Sequence, residues 1–121
     1  MTPEELSERL LESAARVGKV VDALPGTRLG RHVAGQLVRG GTSPAPNYEE
    51  GCAAESRADF VHKLSISLKE LRESRYWIRL IAKAELLPEP RMSNLITEST
   101  ELSKIIAQSI LTAKQNAKKL N

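Results

Sequence analysis

The stretch SRADFVHKLSISLKELRESRYWIRLIAKAELL, residues 56–87, decides how this chain folds. Ser56 with Asp59 three residues on has the form of a helix start, a hydroxyl cap followed by an acid in the first turn. Behind it Phe60, Leu64, Ser67, Leu71, Ser74, Ile78 and Ile81 recur at steps of three and four, close to a heptad seam. The spacing predicts one long helix from about Arg57 to Leu87, ended by Leu87-Pro88-Glu89-Pro90.

Similar stripes flank it. Thr2 caps a first helix, Pro3 takes the first position at no cost, and Glu5 closes a capping box. Leu6, Leu10, Ala14 (or Ser13), Val17, Val21 and Leu24 form its apolar face before Leu24-Pro25-Gly26 stops it. Thr27 caps a second helix with Leu29, Val33, Leu37 and Val38 inward. Gly30, Gly35, Gly40 and Gly41 weaken this helix by ~1 kcal/mol each, so tertiary contacts must hold it. Ser43-Pro44-Ala45-Pro46-Asn47 reads as a proline kink rather than a loop, with helix resuming from Asn47 to Glu55. A last helix runs from about Arg91 to Lys118, with Leu95, Ser99, Leu102, Ile106, Ser109 and Ala113 inward. No segment alternates with a period of two. The prediction is an all-α, antiparallel up-and-down four-helix bundle whose second helix is proline-kinked.

Composition agrees and excludes much else. The chain has 121 residues, 40% hydrophobic and 27% charged, the size of one domain spanning residues 1–121. One cysteine rules out an internal disulfide or a cysteine-rich zinc module. No apolar run approaches the ~20 residues of a membrane span, and the acidic Met-Thr-Pro-Glu-Glu start is unlike a secretory signal. A cytoplasmic protein without membrane contact is expected.

Tyr76-Trp77-Ile78-Arg79-Leu80-Ile81-Ala82 is apolar almost all round, which calls for covering on more than one side. Another subunit is the expected cover, with Tyr76, Trp77 and Leu80 at the interface of a homo-oligomer.

Chemical motifs are sparse. Asp59-x-x-His62 could supply half of a bundle di-metal site, but neither His32 nor His62 has the Glu-x-x-His companion such a site needs. A metal enzyme using Glu50, Asp59, His62 and Glu70 is the least economical reading, and Cys52 lacks a local base. No metal, cofactor or catalytic residue is expected. Ser67, Glu70 and Ser74 form a polar strip beside the seam, where an arginine, Arg57 or Arg75, would clamp Glu70. Net charge is +3, from 18 basic and 15 acidic residues, and no segment forms a basic domain. Arg72, Arg75, Arg79 and Lys83 nevertheless recur at helical steps, with Lys118 and Lys119 in the tail. Copies brought together would align these stripes into a field for phosphates, salt-sensitive and blind to base sequence.

Three runs carry a resemblance: Ser43 to Gly51, Glu55 to Phe60, and Leu68 to Trp77. They resemble the bacterial four-helix-bundle family first known from proteins encoded by intervening sequences in large-subunit ribosomal RNA genes. Pro46, Asn47, Glu50, Gly51, Ser56, Phe60, Glu70 and Leu71 fit its pattern, and Tyr48-Glu49 departs from it. The match is good from about Arg28 to Leu87. The resemblance implies an antiparallel bundle assembling as a homopentameric ring, related to the accessory protein of diversity-generating retroelements, a basic barrel that binds nucleic acid and a reverse transcriptase. It also implies architectural roles for Asn47, Glu50, Gly51 and Glu70, with Asn and Glu bonding across the proline kink. The leading expectation is a non-enzymatic oligomer that binds RNA, DNA or a nucleoprotein through its basic stripes. The alternative is a protein-interaction adaptor that docks a partner helix on an apolar surface, with no nucleic-acid role.

Overall fold

Three hydroxyl caps set the helix starts. Thr2 Oγ1 accepts from the Glu5 N–H at 3.1 Å, Thr27 Oγ1 from Gly30 at 3.0 Å and Ser56 Oγ from Asp59 at 3.1 Å. Each satisfies an amide that the first helical turn leaves unpaired. The computed structural model describes residues 1–120, with side chains through Ala117. It contains α1 (Pro3–Ala23), α2 (Arg28–Thr42), α3 (Pro44–Cys52), α4 (Arg57–Lys83) and α5 (Glu89–Leu120), and no strand among the described residues.

Helices α2 and α3 form one rod. Ser43 between them keeps helical dihedrals, φ −75° and ψ −35°, and the two pieces meet with a bend of 18°. Pro44 and Pro46 lack the N–H groups that would have reached the carbonyls of Gly40 and Thr42. The ladder survives around them, with Ser43 N–H donating to Arg39 O at 3.2 Å and Asn47 N–H to Ser43 O at 3.3 Å. The Asn47 side chain adds two bonds at the hinge, from Nδ2 to Ser43 O and to Ser43 Oγ, both 3.0 Å. Ser67 on α4 donates to the Pro44 carbonyl at 2.9 Å, tying the bend to the core. The asparagine therefore serves the hinge residue itself, not the carbonyls the prolines orphan.

The resulting four rods pack as a bundle in which α4 lies against α2, α3 and α5, and α1 sits diagonally opposite it. The core divides into two clusters. Leu6, Leu10, Tyr48, Leu64, Leu71, Leu102 and Ile106 fill one end; Val17, Val33, Leu37, Ile78, Ile81, Met92 and Leu95 fill the other. Between them every rod presents a small residue: Ser13, Gly40 with Gly41, Ser74 and Ser99, all buried except the half-buried Gly41. A Cβ at Gly41 would collide with the Val17 side chain, so α1 and α2 close to a distance only glycine permits.

Several inward assignments shift. Leu29 and Val38 are exposed while Gly30 and Gly40 take the buried positions, because a backbone pressed against its neighbours leaves no room there for a side chain. Ser13, not Ala14, and Val20, not Val21, are the buried residues of α1. Helix α4 ends at Lys83, four residues short of the expected Leu87, for a geometric reason. Glu85 adopts the left-handed conformation at φ 55°, its N–H donates to Ala82 O at 3.2 Å, and Leu86 N–H returns to Ile81 O at 3.0 Å. This is a Schellman closure with glutamate where glycine usually stands.

A missed clamp joins α1 to α5. Arg9 meets Glu98 with both sides of its guanidinium, Nη2 to Oε1 at 2.5 Å and Nε to Oε2 at 3.1 Å, with Glu101 at 3.6 Å. Hydrogen bonding to Glu98 makes this guanidinium hold its proton more firmly than usual, against a smaller opposing effect of burial.

Three stability outcomes follow from these contacts. Glu85→Gly, measured by urea unfolding, should stabilise the fold by about 0.5–1 kcal/mol, since glycine enters the left-handed region without a Cβ clash. Ser67→Ala should cost about 1 kcal/mol by leaving the Pro44 carbonyl without this partner. Ser74→Ala should cost less than about 0.5 kcal/mol, because the buried Ser74 Oγ has no hydrogen-bond partner to lose.

Candidate nucleic-acid interface

The buried seam of α4 dictates what its opposite face presents. With Leu64, Ser67, Leu71, Ser74, Ile78 and Ile81 turned inward, the antipodal positions are Lys69, Arg72, Tyr76, Arg79 and Lys83, spaced three and four apart. All five are exposed, and none of the four cations makes an ion pair with a described residue. At 1.5 Å per residue the stripe extends roughly 21 Å along the helix. It contains no acid. Two acids flank it: Glu73, next to Arg72 and one turn from Lys69, and Glu89, which shares a 190 Å³ surface cavity with Arg79, Ala82, Lys83 and Ile96.

Arg72, Arg79 and Lys83 therefore lie together where the periodicity placed them. Arg75 does not: half-buried, it turns toward α5 and donates from Nη1 to Thr100 Oγ1 at 3.3 Å. Lys118 and Lys119 lie outside the described side chains. Lys69 belongs to the stripe and was missed, although its three-residue step to Arg72 is plain in the sequence. Two of the three arginines of α2 are spent locally, Arg31 on the Gly26 carbonyl and Arg39 on Gln36, each at 2.8 Å, while Arg28 at its start is exposed. Charge is segregated across the bundle, because the first half of α1, diagonally opposite, exposes Glu4, Glu5, Glu8 and Glu12.

The aromatic residues of this region form a braced series. Trp77 is half-buried against the second core cluster, with its ring edge-on to His32 of α2 at 5.7 Å and its Nε1 donating to Glu73 at 3.4 Å. Tyr76 leans on Trp77 at 5.1 Å and 78° between ring planes, yet remains 57% exposed. Trp77 and Leu80 thus find much of their covering inside their own bundle, which accounts for most of the apolar girth read from the sequence. Tyr76 is what remains.

Glu50, Gly51 and Glu70, on which the family resemblance rests, lie off this stripe. Glu50 is exposed and pairs with Lys63 Nζ at 2.9 Å, joining α3 to α4. Gly51 is buried where a Cβ would come within 2.7 Å of Leu64. Glu70 is half-buried, its Oε2 beside Gly40, and neither Arg57 nor Arg75 pairs with it. The arginine–glutamate clamp expected there is the Arg9–Glu98 pair instead. Arg75 is drawn off by Thr100, and Arg57 is exposed at the start of α4, about three and a half turns from Glu70.

Asp59 and His62 are exposed, and no group of three or more metal-ligating side chains converges among the described residues. A surface cavity of about 590 Å³ opens between the α3–α4 turn and the end of α5, lined by Cys52, Glu55, Arg57, Phe60, Gln108 and Asn116 among others. Cys52 itself is exposed. Burial, reinforced by hydrogen bonding to Cys52, holds the nearby Tyr48 phenol well above its ordinary pKa of 10.0, so it stays protonated. No helix of the described residues is long and apolar enough to cross a membrane.

Comparison with known proteins bears on the whole bundle. A solved structure from Bacteroides thetaiotaomicron, a protein of unknown function from the S23 ribosomal protein family, is 32% identical in sequence. The similarity covers 87% of this chain and 97% of that one, with a TM-score of 0.81. No curated protein matches the chain. The sequence profile of the 23S rRNA-intervening sequence proteins matches residues 5–108, from the first turn of α1 to well into α5. By that match and by the shared fold, this chain belongs to the 23S rRNA-intervening sequence protein family.

Proposed function

We propose that this protein is a non-enzymatic, homo-oligomeric bundle that binds nucleic acid, free or within a nucleoprotein, through phosphate contacts along the outer face of α4. The observation that carries this reading is the set of exposed cations Arg72, Arg79 and Lys83, with Lys69, unpaired with any described acid and aligned on one face. A cation already held by a carboxylate gains little from a phosphate; an unpaired one releases condensed counterions from the nucleic acid. Such contacts position a strand without reading its bases. Arg75 lends its charge from the flank while bound to Thr100.

Assembly strengthens the same field. A chain of net charge +3 is a weak attractor alone, and the pentameric ring that the family resemblance implies multiplies the charge and repeats the stripe. Leu11, Val38 and Leu111, exposed apolar side chains on the other rods, are available for contacts between copies. The acids on the opposite face of each bundle orient an approaching polyanion toward α4.

Filter binding of RNA and DNA across a salt series tests this, with light scattering on the same sample for the subunit number. Three to four phosphate contacts predict an affinity that falls with salt at a log–log slope of about −2 to −3 on a single strand. Arg79→Glu with Lys83→Glu should weaken binding more than about tenfold and flatten that slope. Binding that ignores salt, or a double variant indistinguishable from wild type, would overturn the reading.

A further inference from the structure

Tyr76 is out of place on a face that only needs to hold phosphates. Of the four aromatic residues, Tyr48 is buried, Phe60 and Trp77 are half-buried, and Tyr76 alone is exposed. It occupies the middle of the stripe, with Lys69 and Arg72 on the turns before it and Arg79 and Lys83 on the turns after. We infer, on the basis of the phosphate-binding reading above, that the ligand of this face is single-stranded nucleic acid and that Tyr76 is the platform on which one unpaired base stacks.

Three features of the molecule carry this. The first is order: cations on both sides of a single aromatic ring are the arrangement that lets a strand run along the helix with phosphates on the lysines and arginines and one base turned onto the ring. The second is bracing. The Tyr76 ring rests edge-on against Trp77, which is held in turn by His32 and by Glu73, so much of its rotational freedom is surrendered before any ligand arrives. An ordered aromatic binds at lower entropic cost than a free one. The third is the shape of the competitors. In a duplex both faces of each internal base are covered by neighbours, and the deep, narrow major groove of A-form RNA does not admit side chains to the bases. Duplex binding would use the cations and leave Tyr76 without a role.

Trp77 is the only tryptophan in the chain and touches Tyr76, so its fluorescence reports on the site directly. The probes are a ten-nucleotide oligouridylate and a blunt RNA duplex of the same length, titrated at several salt concentrations. Wild type should bind the single strand more tightly than the duplex and change its tryptophan emission on doing so. Tyr76→Ala should lose about five- to a hundredfold in affinity for the single strand at an unchanged salt slope, and Tyr76→Phe should restore most of it. Arg79→Glu should weaken single strand and duplex alike and reduce the slope. If Tyr76→Ala binds the single strand as wild type does, or if wild type prefers the duplex, the stacking assignment falls while phosphate binding stands. A change in assembly mass on Tyr76→Ala would make Tyr76 a subunit contact and also overturn it. Failure of wild type to bind either probe would remove both readings together.

Discussion

The bundle depends on how closely α2 can approach its two neighbours. At the level between the two apolar clusters, Gly41 lies where a Cβ would strike Val17 of α1, and Gly40 lies against Ser74 and Glu70 of α4. A larger side chain at either place would push a rod outward and open both clusters, because their residues interdigitate across the same rods. The proline bend follows directly after this crossing. Pro44 and Pro46 turn the rod so that α3 lays Ala45 and Tyr48 onto the cluster of Leu6, Leu64 and Ile106, with Gly51 against Leu64. Asn47 and Ser67 hold the turned segment by hydrogen bonds to Ser43 and Pro44. Asn47, Gly51 and Ser67 thus answer one mechanical problem, which is keeping a kinked helix pressed against its neighbour.

That architecture also explains why the chemistry lies outside the core. The interior is filled with aliphatic side chains and serines, most of whose hydroxyls are committed to backbone carbonyls, such as Ser99 to Leu95 and Ser103 to Ser99. Charge is confined to the surface, with exposed acids over the first half of α1 and, along the outer face of α4, cations that pair with no described acid. The Arg9–Glu98 pair joins α1 to α5, two rods that otherwise touch lightly, and there its bidentate geometry does what packing does elsewhere. A protein arranged this way interacts through its outside, and the outer face of α4 is the place where charge, exposure and an ordered aromatic coincide.

Much of this was legible beforehand. The stripe from Phe60 to Ile81 states its own helix, and the structure buries Leu64, Ser67, Leu71, Ser74, Ile78 and Ile81 while leaving Phe60 half-covered. Caps at Thr2, Thr27 and Ser56 are local chemistry between residues three apart, so sequence suffices to place them. The stop of α4 was not legible, because proline at position 88 is a visible signal and a left-handed glutamate at 85 is not. The partners of arginines were equally hidden. Arg75 and Arg79 look alike along the chain, and one step around the helix sends the first to Thr100 and the second to solvent.

By itself, then, the sequence determined the helices, their order and the kink, since each rests on interactions within a few residues or on a periodic pattern of burial, while the family showed only in the resemblance of three short runs. Tertiary structure decided which face each rod turns inward where small residues replace large ones, and so exposed Leu29 and Val38 and buried Gly30 and Gly40. It also decided that Trp77 is covered by His32 from another rod and that Tyr76 beside it is not. The physical reason is the same in both cases. A residue's burial depends on the distance between helix backbones, and that distance is set by the bulk of side chains on the partner rod, far away in sequence.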